Sequence, residues 1–512
     1  MTAVRPALTH PVVDTDAGPV RGIDDGQVKV WKGIRYAAAP EGELRWRAPR
    51  PPEPSTEVVD AFGYGSICPQ PKSPIPLGTG ARAAEDCLFL NVWTPPTADP
   101  SAAKPVMVWV HGGAYIFGAA SQPLYDGRVL ATRGDVVVVT LNYRMGAFGF
   151  LDLSGFDGPD TFDTNLGLRD VVRALEWVRD NIAGFGGDPA NVTLFGESAG
   201  AGIVTTLLTA PAAAGLFARA IAQSSPATSV YDSARAHTVA QLVLDRVGVT
   251  AAQARTVPVE ALVEASAQVF DHVPTTTPGT LAFAPSVDGD LVPDYPVKLA
   301  REGRSHPVPL LIGTNRDEAA LFRWMKSPLM PIAPETIRAM FDGIAAEQPG
   351  LQLPSEAQIG SAYSGIRTRV RGLHVARDVG FRMPTVWFAE GHSEVAPVQL
   401  YRFDWTTPML RLLRLGAAHA TELPYVWGNL VMGAKDITFK LGGLKAGTAV
   451  SGRMLARWAA FAHGRAPGVE PEWPSYTMTD RATLVINRED EVVDDLDQGI
   501  RAAWGDEILS FR

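Results

Sequence analysis

Short apolar runs recur along the chain, at 106–110, 136–141, 192–195, 308–312 and 398–403. They are rich in Val, Ile, Leu and aromatics and are bounded by Gly, Asp, Asn or Pro. That pattern predicts strands of a central sheet covered on both faces. A different period appears between the second and third. Over 165–182 the apolar positions Leu168, Val171, Val172, Leu175, Val178 and Ile182 fall at helical spacing. Asp170, Arg173, Glu176, Arg179 and Asp180 can occupy much of the remaining surface of that helix. Strand, helix, strand in this order is a βαβ crossover, which predicts a mainly parallel α/β sheet. Helical segments over 234–270 and 334–390 are expected as insertions above or beside it. Pro-rich stretches at 49–54 and 69–76 read as loops, and no repeat or low-complexity tract interrupts the pattern.

With 512 residues, 46% of them hydrophobic, the chain has ample material for a large core. One α/β catalytic domain over 1–512 is expected, since large α/β enzymes carry long insertions on a single sheet. The formal net charge is −9, and Lys and Arg are scattered rather than clustered, which argues against a nucleic-acid partner. No apolar run reaches the ~18 residues of a membrane span, and the N-terminal stretch lacks a secretory apolar core; cytoplasmic is the default expectation, with export left open. The two cysteines, Cys68 and Cys87, are too few for a disulfide scaffold or for a zinc site without nearby histidines.

Chemistry enters at Gly196-Glu197-Ser198-Ala199-Gly200. The run at 192–195 leads into this pentapeptide and a helix-like run of small and apolar residues leads out, the arrangement of a nucleophile elbow. Ser198 must then occupy a tight, strained turn, with the N–H of Ala199 pointing to the same spot as its hydroxyl at the positive end of a helix. A second element, His111-Gly112-Gly113-Ala114-Tyr115, follows the run at 106–110. Alone it is a Gly-rich turn. Upstream of a nucleophilic serine, its free N–H groups suit an oxyanion. An acid and a histidine must follow Ser198. Seven of the nine histidines lie downstream, and His419 stands out in a small-residue loop, Gly416 to Ala420. Asp317 and Glu318, just beyond the run at 308–312, are both candidates for the acid.

Several motifs in order then make the chain resemble the type-B carboxylesterase family: Gly33-Ile34-Arg35-Tyr36-Ala37, Glu85-Asp86-Cys87-Leu88-Phe89-Leu90-Asn91-Val92-Trp93, the two glycine motifs above, Gly313-Thr314-Asn315-Arg316-Asp317-Glu318 and the segment from His419 to Gly428. The resemblance implies an α/β-hydrolase fold and a serine carboxylesterase needing no metal or organic cofactor. Its triad would be Ser198, Glu318 and His419, and its oxyanion donors the N–H groups of Gly113, Ala114 and Ala199. Ser224 and Glu422 would form a buried polar pair near the histidine, Arg45 and Glu85 an ion pair, and Cys68 and Cys87 a disulfide, which would contribute roughly 3 kcal/mol.

In the cholinesterases of this family the Cys-closed loop carries a tryptophan that stacks on a choline cation. Here 69–86 contains no aromatic residue, so a site of that kind is not expected. Small-molecule esters with short to medium acyl or aryl groups are the expected substrates. Tyr115, Phe117, Leu321, Phe322, Trp324 and Met325 are candidates for an apolar pocket, and 409–415 for a gorge wall or lid. The alternatives are an interfacial lipase and, against the retained triad, a non-catalytic binding protein.

Overall fold

The computed structural model describes residues 8–73, 75–157, 161–433, 436–466 and 468–512. At its centre an 11-stranded sheet is built, in chain order, from β1 (Ile23–Asp24), β2 (Lys29–Arg35), β3 (Phe89–Thr94), β4 (Lys104–Val110), β5 (Val137–Leu141), β6 (Gly187–Glu197), β7 (Arg219–Gln223), β8 (Leu310–Asn315), β9 (Val398–Phe403), β10 (Thr483–Ile486) and β11 (Glu491–Val493). Across the sheet the order is β1-β2-β3-β5-β4-β6-β7-β8-β9-β10-β11. The central strands from β5 through β10 run parallel, while the outer strands at both edges pair antiparallel.

β4 shows how one strand serves two cores. Side chains alternate across a pleated strand. Val106, Val108 and Val110 join the cluster that includes the helix Leu166–Asn181, whereas Met107 and Trp109 join the opposite cluster with Val450, Met454 and Trp458 of the helix Leu444–Ala462. Each large apolar side chain buried this way contributes on the order of 2–3 kcal/mol.

The expected helix forms over Leu166–Asn181, with Asn165 as its N-cap residue. One of its polar positions departs from the amphipathic reading. Asp170 is fully buried and takes a two-pronged hydrogen bond from the Arg144 guanidinium, at 2.8 and 2.7 Å, and one from the Arg144 N–H at 3.0 Å. A carboxylate satisfied by three donors is tolerated in a core that would reject a bare one. β8 starts at Leu310 rather than 308, since Pro309 has no N–H for the ladder.

Helices occupy both predicted insertions. Ser233–Val247 and Val259–Thr276 lie between β7 and β8. Pro334–Glu347, Glu356–Ala362, Thr368–Arg377 and Met383–Ser393 lie between β8 and β9. The last two are joined by a wide π-helical turn, Asp378–Arg382. No described helix is long and apolar enough to cross a membrane.

Cys68 and Cys87 are both buried and stand as free thiols rather than as the bridge the resemblance implies. Hydrogen bonding to Cys68, together with burial, holds the Cys87 thiol well above the usual range. Arg45 and Glu85 form the implied ion pair, with Nε donating to Oε2 at 2.7 Å and Nη2 closing the second contact.

Candidate active site

The parallel strands deliver four segments to one edge of the sheet, at their carboxyl ends: the glycine loop after β4, Ser198 after β6, the Asp317-Glu318 turn after β8 and the histidine loop after β9. Open α/β sheets place their ligands at this edge.

Ser198 joins β6 to the helix Ala199–Leu207 at φ 56° and ψ −125°, a strained conformation for a residue with a side chain. The flanking glycines make room for it. A Cβ on Gly200 would lie 2.1 Å from the Val110 carbonyl oxygen of β4, and one on Gly196 would lie 2.7 Å from the Gly200 backbone. Only hydrogen fits between these backbones. The glycine loop is equally compressed, since a Cβ on Gly113 would meet the Phe117 oxygen at 2.1 Å. Gly113, Ala114 and Tyr115 all have positive φ, at 121°, 52° and 60°. Among the described residues, the N–H groups of Gly113, Ala114 and Ala199 pair with no acceptor of the protein.

The adjacent carboxylates separate cleanly. Glu318 is fully buried, and its Oε2 lies 2.6 Å from His419 Nδ1, which must donate because a carboxylate only accepts. Its Oε1 accepts from the Asn315 N–H at 2.7 Å and from the Ser224 hydroxyl at 2.6 Å. Asp317 points elsewhere: its carboxylate accepts from the Ala417 N–H at 3.0 Å and from Arg316 at 3.2 Å. The expected pairing of Ser224 with Glu422 is replaced by a larger network. Ser224 binds Glu318, while Glu422 accepts from Asn315 Nδ2 at 2.5 Å and from Gln223 Nε2 at 3.0 Å. The register explains this, because Gln223 lies opposite Gly313 and the Ser224 N–H donates to the Gly313 carbonyl at 2.8 Å. Asn315 holds both carboxylates and also donates to the Ala418 carbonyl at 2.7 Å.

Glu197 is the residue that the motif alone does not explain. It is buried, and its Oε1 comes within 3.1 Å of His419 Nε2, the nitrogen left free by Glu318, without an aligned hydrogen bond. Burial pushes the Glu197 carboxyl up to about 8, with Glu422 and Glu318 adding to the shift and His419 opposing it. Burial by itself would lower the His419 imidazole, but Glu197 and Glu318 outweigh it and raise His419 to about 9. Burial also raises Glu422. One imidazole ringed by three buried carboxylates holds its proton more tightly than an isolated histidine.

Ser198 and Ala199 open on a cavity of about 80 Å³ whose wall includes Tyr115, Phe322, Met330, Met340, Phe381 and Phe511. Phe322 and Phe381 also touch the imidazole of His419, with ring centroids 5.3 and 4.6 Å away. The wide turn Asp378–Arg382 brings Phe381 there. Of the predicted pocket residues, Tyr115 and Phe322 line the cavity. Phe117 instead packs edge-on against Phe270 at 5.4 Å, and Leu321 packs with Ala320 and Leu415. Trp324 and Met325 face water, 60% and 42% exposed, because the helix Ala319–Met325 turns its far end outward. The stretch 409–415 is not part of this cavity wall either: Leu410, Leu413 and Leu415 pack on Ala320 and Ala418, and Leu412 is exposed. Met330, Met340 and Phe511 carried no local signal, since they reach the cavity from distant segments.

A serine at a strand–turn–helix elbow, with a buried acid–imidazole pair at the carboxyl edge of a parallel sheet, defines an α/β hydrolase. The chain belongs to the carboxylesterase family, whose model matches residues 9–504, and it is a carboxylic ester hydrolase. It is 40% identical over 498 residues to the para-nitrobenzyl esterase of Bacillus subtilis, covering 95% of this chain and 97% of that one. It is 33% identical over 510 residues to the phenmedipham hydrolase of Pseudarthrobacter oxydans, covering 96% and 98%. Among solved structures, a PNB esterase superposes with a TM-score of 0.83 at 38% identity, covering 97% of this chain and all of that one (100%). A Geobacillus stearothermophilus carboxylesterase gives 0.82 at 36% identity, covering 96% and 100%.

Proposed function

We propose that Ser198, Glu318 and His419 carry out ester hydrolysis as nucleophile, orienting acid and general base. The observation that carries this reading is the 2.6 Å contact between Glu318 Oε2 and His419 Nδ1, beside a cavity onto which Ser198 opens. The Ser198 oxygen attacks the ester carbonyl as its proton passes to His419 Nε2. The tetrahedral oxyanion accepts hydrogen bonds from the N–H groups of Gly113, Ala114 and Ala199. Collapse of this intermediate breaks the carbon–oxygen bond to the alcohol, which leaves with the proton from His419. Water then attacks the acyl-enzyme, giving its proton to the same imidazole, and the carboxylic acid departs as Ser198 regains its hydrogen. Glu318 fixes the tautomer and stabilises the imidazolium throughout.

Short and medium acyl or aryl esters are the substrates we infer. A cavity of about 80 Å³ with an apolar wall supports a modest acyl group, and its two methionines can yield to a larger one. The names of the B. subtilis and P. oxydans relatives point to a p-nitrobenzyl ester and to phenmedipham as first compounds to assay. Covalent labelling by an organophosphonate, located by peptide mass spectrometry, tests the assignment. Label on Ser198, together with loss of turnover by about 10⁴ or more in Ser198→Ala, is the expected result. A folded Ser198→Ala enzyme keeping a tenth of its turnover would overturn it.

A further inference from the structure

A second recess lies behind the turn that carries Asp317 and Glu318. It measures about 490 Å³ and opens between the helices Ala319–Met325 and Thr368–Arg377 and the end of the helix Pro408–Leu412 with the segment that follows it. Its wall gathers Arg316, Arg323, Arg377, Arg411, Arg414 and His374, with Asp317 as the one carboxylate among the lining residues. In a chain of net charge −9 this is a local reversal of sign.

Neighbours neutralise two of these cations. Arg316 pairs with Asp317 at 3.2 Å and approaches Asp404 at 3.7 Å, and Arg377 pairs with Asp378 at 2.6 Å. Asp404 is itself engaged by Arg402 at 2.7 Å. Arg323, Arg411 and Arg414 have no carboxylate partner among the described residues; Arg411 makes a 3.4 Å hydrogen bond to the Thr406 carbonyl. All three are exposed, so their guanidinium groups can turn into the recess. Burial, and after it the adjacent Arg377, hold His374 below its ordinary value against the opposing pull of Asp378 and Asp317. The rest of the wall is apolar, with Val370, Leu373 and Leu415.

We propose that this recess binds a small organic anion, its carboxylate or phosphate head held by Arg323, Arg411 and Arg414 and its apolar body laid on Leu373 and Leu415. Guanidinium groups are the preferred partners of both head groups because they offer paired donors in a fixed fork. The volume lies within the range of small-molecule sites, which an inorganic anion would leave mostly empty. The ligand would sit against the frame of the active site without entering the cavity. Asp317 borders the recess and ties the turn of Glu318 to the loop of His419, through its N–H to the Ala417 carbonyl at 2.8 Å and its carboxylate to the Ala417 N–H at 3.0 Å.

The test is calorimetric titration of protein whose catalytic cavity has been filled by phosphonate labelling, with the label confirmed by mass. The ligands are octanoate, octyl phosphate, octanol and inorganic phosphate. One octanoate or octyl phosphate should bind per chain, and the tighter of the two identifies the head group. Octanol and inorganic phosphate should each bind about tenfold more weakly or worse. The double variant Arg323→Gln/Arg414→Asn should lose about tenfold or more in anion affinity while keeping wild-type turnover of p-nitrophenyl acetate before labelling. Neither anion binding, equal binding by octanol or by inorganic phosphate, or unchanged affinity in the variant would overturn the proposal. Failure of the serine to take the label would instead strike at the catalytic reading, and the mass measurement separates the two cases.

Discussion

Replacing Glu318 by glutamine changes one oxygen to NH₂ in a place where both oxygens are committed as acceptors. If the amide keeps its oxygen toward the Asn315 N–H and the Ser224 hydroxyl, now 2.7 and 2.6 Å from Oε1, its NH₂ faces His419 Nδ1. The imidazole must then present a lone pair at Nδ1 and carry its hydrogen on Nε2, so it cannot accept the Ser198 proton. If the amide turns over, its oxygen serves His419, but NH₂ is pressed against the Asn315 N–H. An unsatisfied buried donor there costs about 1–3 kcal/mol. The first arrangement therefore dominates, and kcat should fall by up to about 10⁴, or about 5.5 kcal/mol in barrier. Asp317→Asn makes the matching control. Asparagine retains an oxygen for the Ala417 N–H and loses only the charge opposite Arg316, a pair with side chains 39% and 29% exposed. Pairs that open to water are worth about 1 kcal/mol or less, so turnover should stay within a few-fold of wild type. Steady-state kinetics on one p-nitrophenyl ester, with circular dichroism on each variant, measures the contrast. A near-dead Asp317→Asn beside a largely active Glu318→Gln would refute the assignment.

Three further outcomes follow from the same geometry. Because Glu197 and Glu318 raise His419 to about 9 in the free enzyme, kcat/KM should increase with pH along a limb that lies above the ordinary histidine value. Glu197→Gln removes one of the charges that favour the imidazolium and should move this limb to lower pH, as a pH profile on a neutral ester would read; a limb that stays in place contradicts the coupling. Met340→Ala, at a buried position in the cavity wall, should cost about 2–5 kcal/mol in a denaturant titration while shifting relative kcat/KM toward longer acyl chains. An unchanged acyl profile would remove Met340 from the acyl site. Asp170→Asn should destabilise the fold by about 3–5 kcal/mol, since it strands the buried Arg144 guanidinium, and thermal unfolding would show this as a large fall in Tm.

Much of the proposed catalytic apparatus has a signature along the chain because its causes are local. A strand, a tight turn and a helix occupy consecutive residues. The demand that Gly200 carry no Cβ is written in its own identity, although the Val110 carbonyl that imposes it, 2.1 Å from where that Cβ would sit, belongs to another strand. Elements covered by one periodic pattern, such as Leu166–Asn181, emerged within a residue or so of their true ends.

Tertiary structure decided what depends on segments meeting. Asp170 falls on the polar side of a helical pattern, yet the packing of Arg144 draws it into the core. Glu197 occupies a variable position in the elbow, and only the return of the chain at 419 brings an imidazole within 3.1 Å of it. Spacing left Glu318 and Asp317 open and only the family resemblance favoured Glu318; the side-chain directions, Glu318 toward His419 and Asp317 toward Ala417, are set by packing. The arginines at 316, 323, 377, 411 and 414 look scattered over almost a hundred positions, but three separate segments fold them around one recess. Periodicity records which side of its own element a residue faces. Which other elements share that side is set by long-range packing, and this is where the charge field and the shape of the cavity arise.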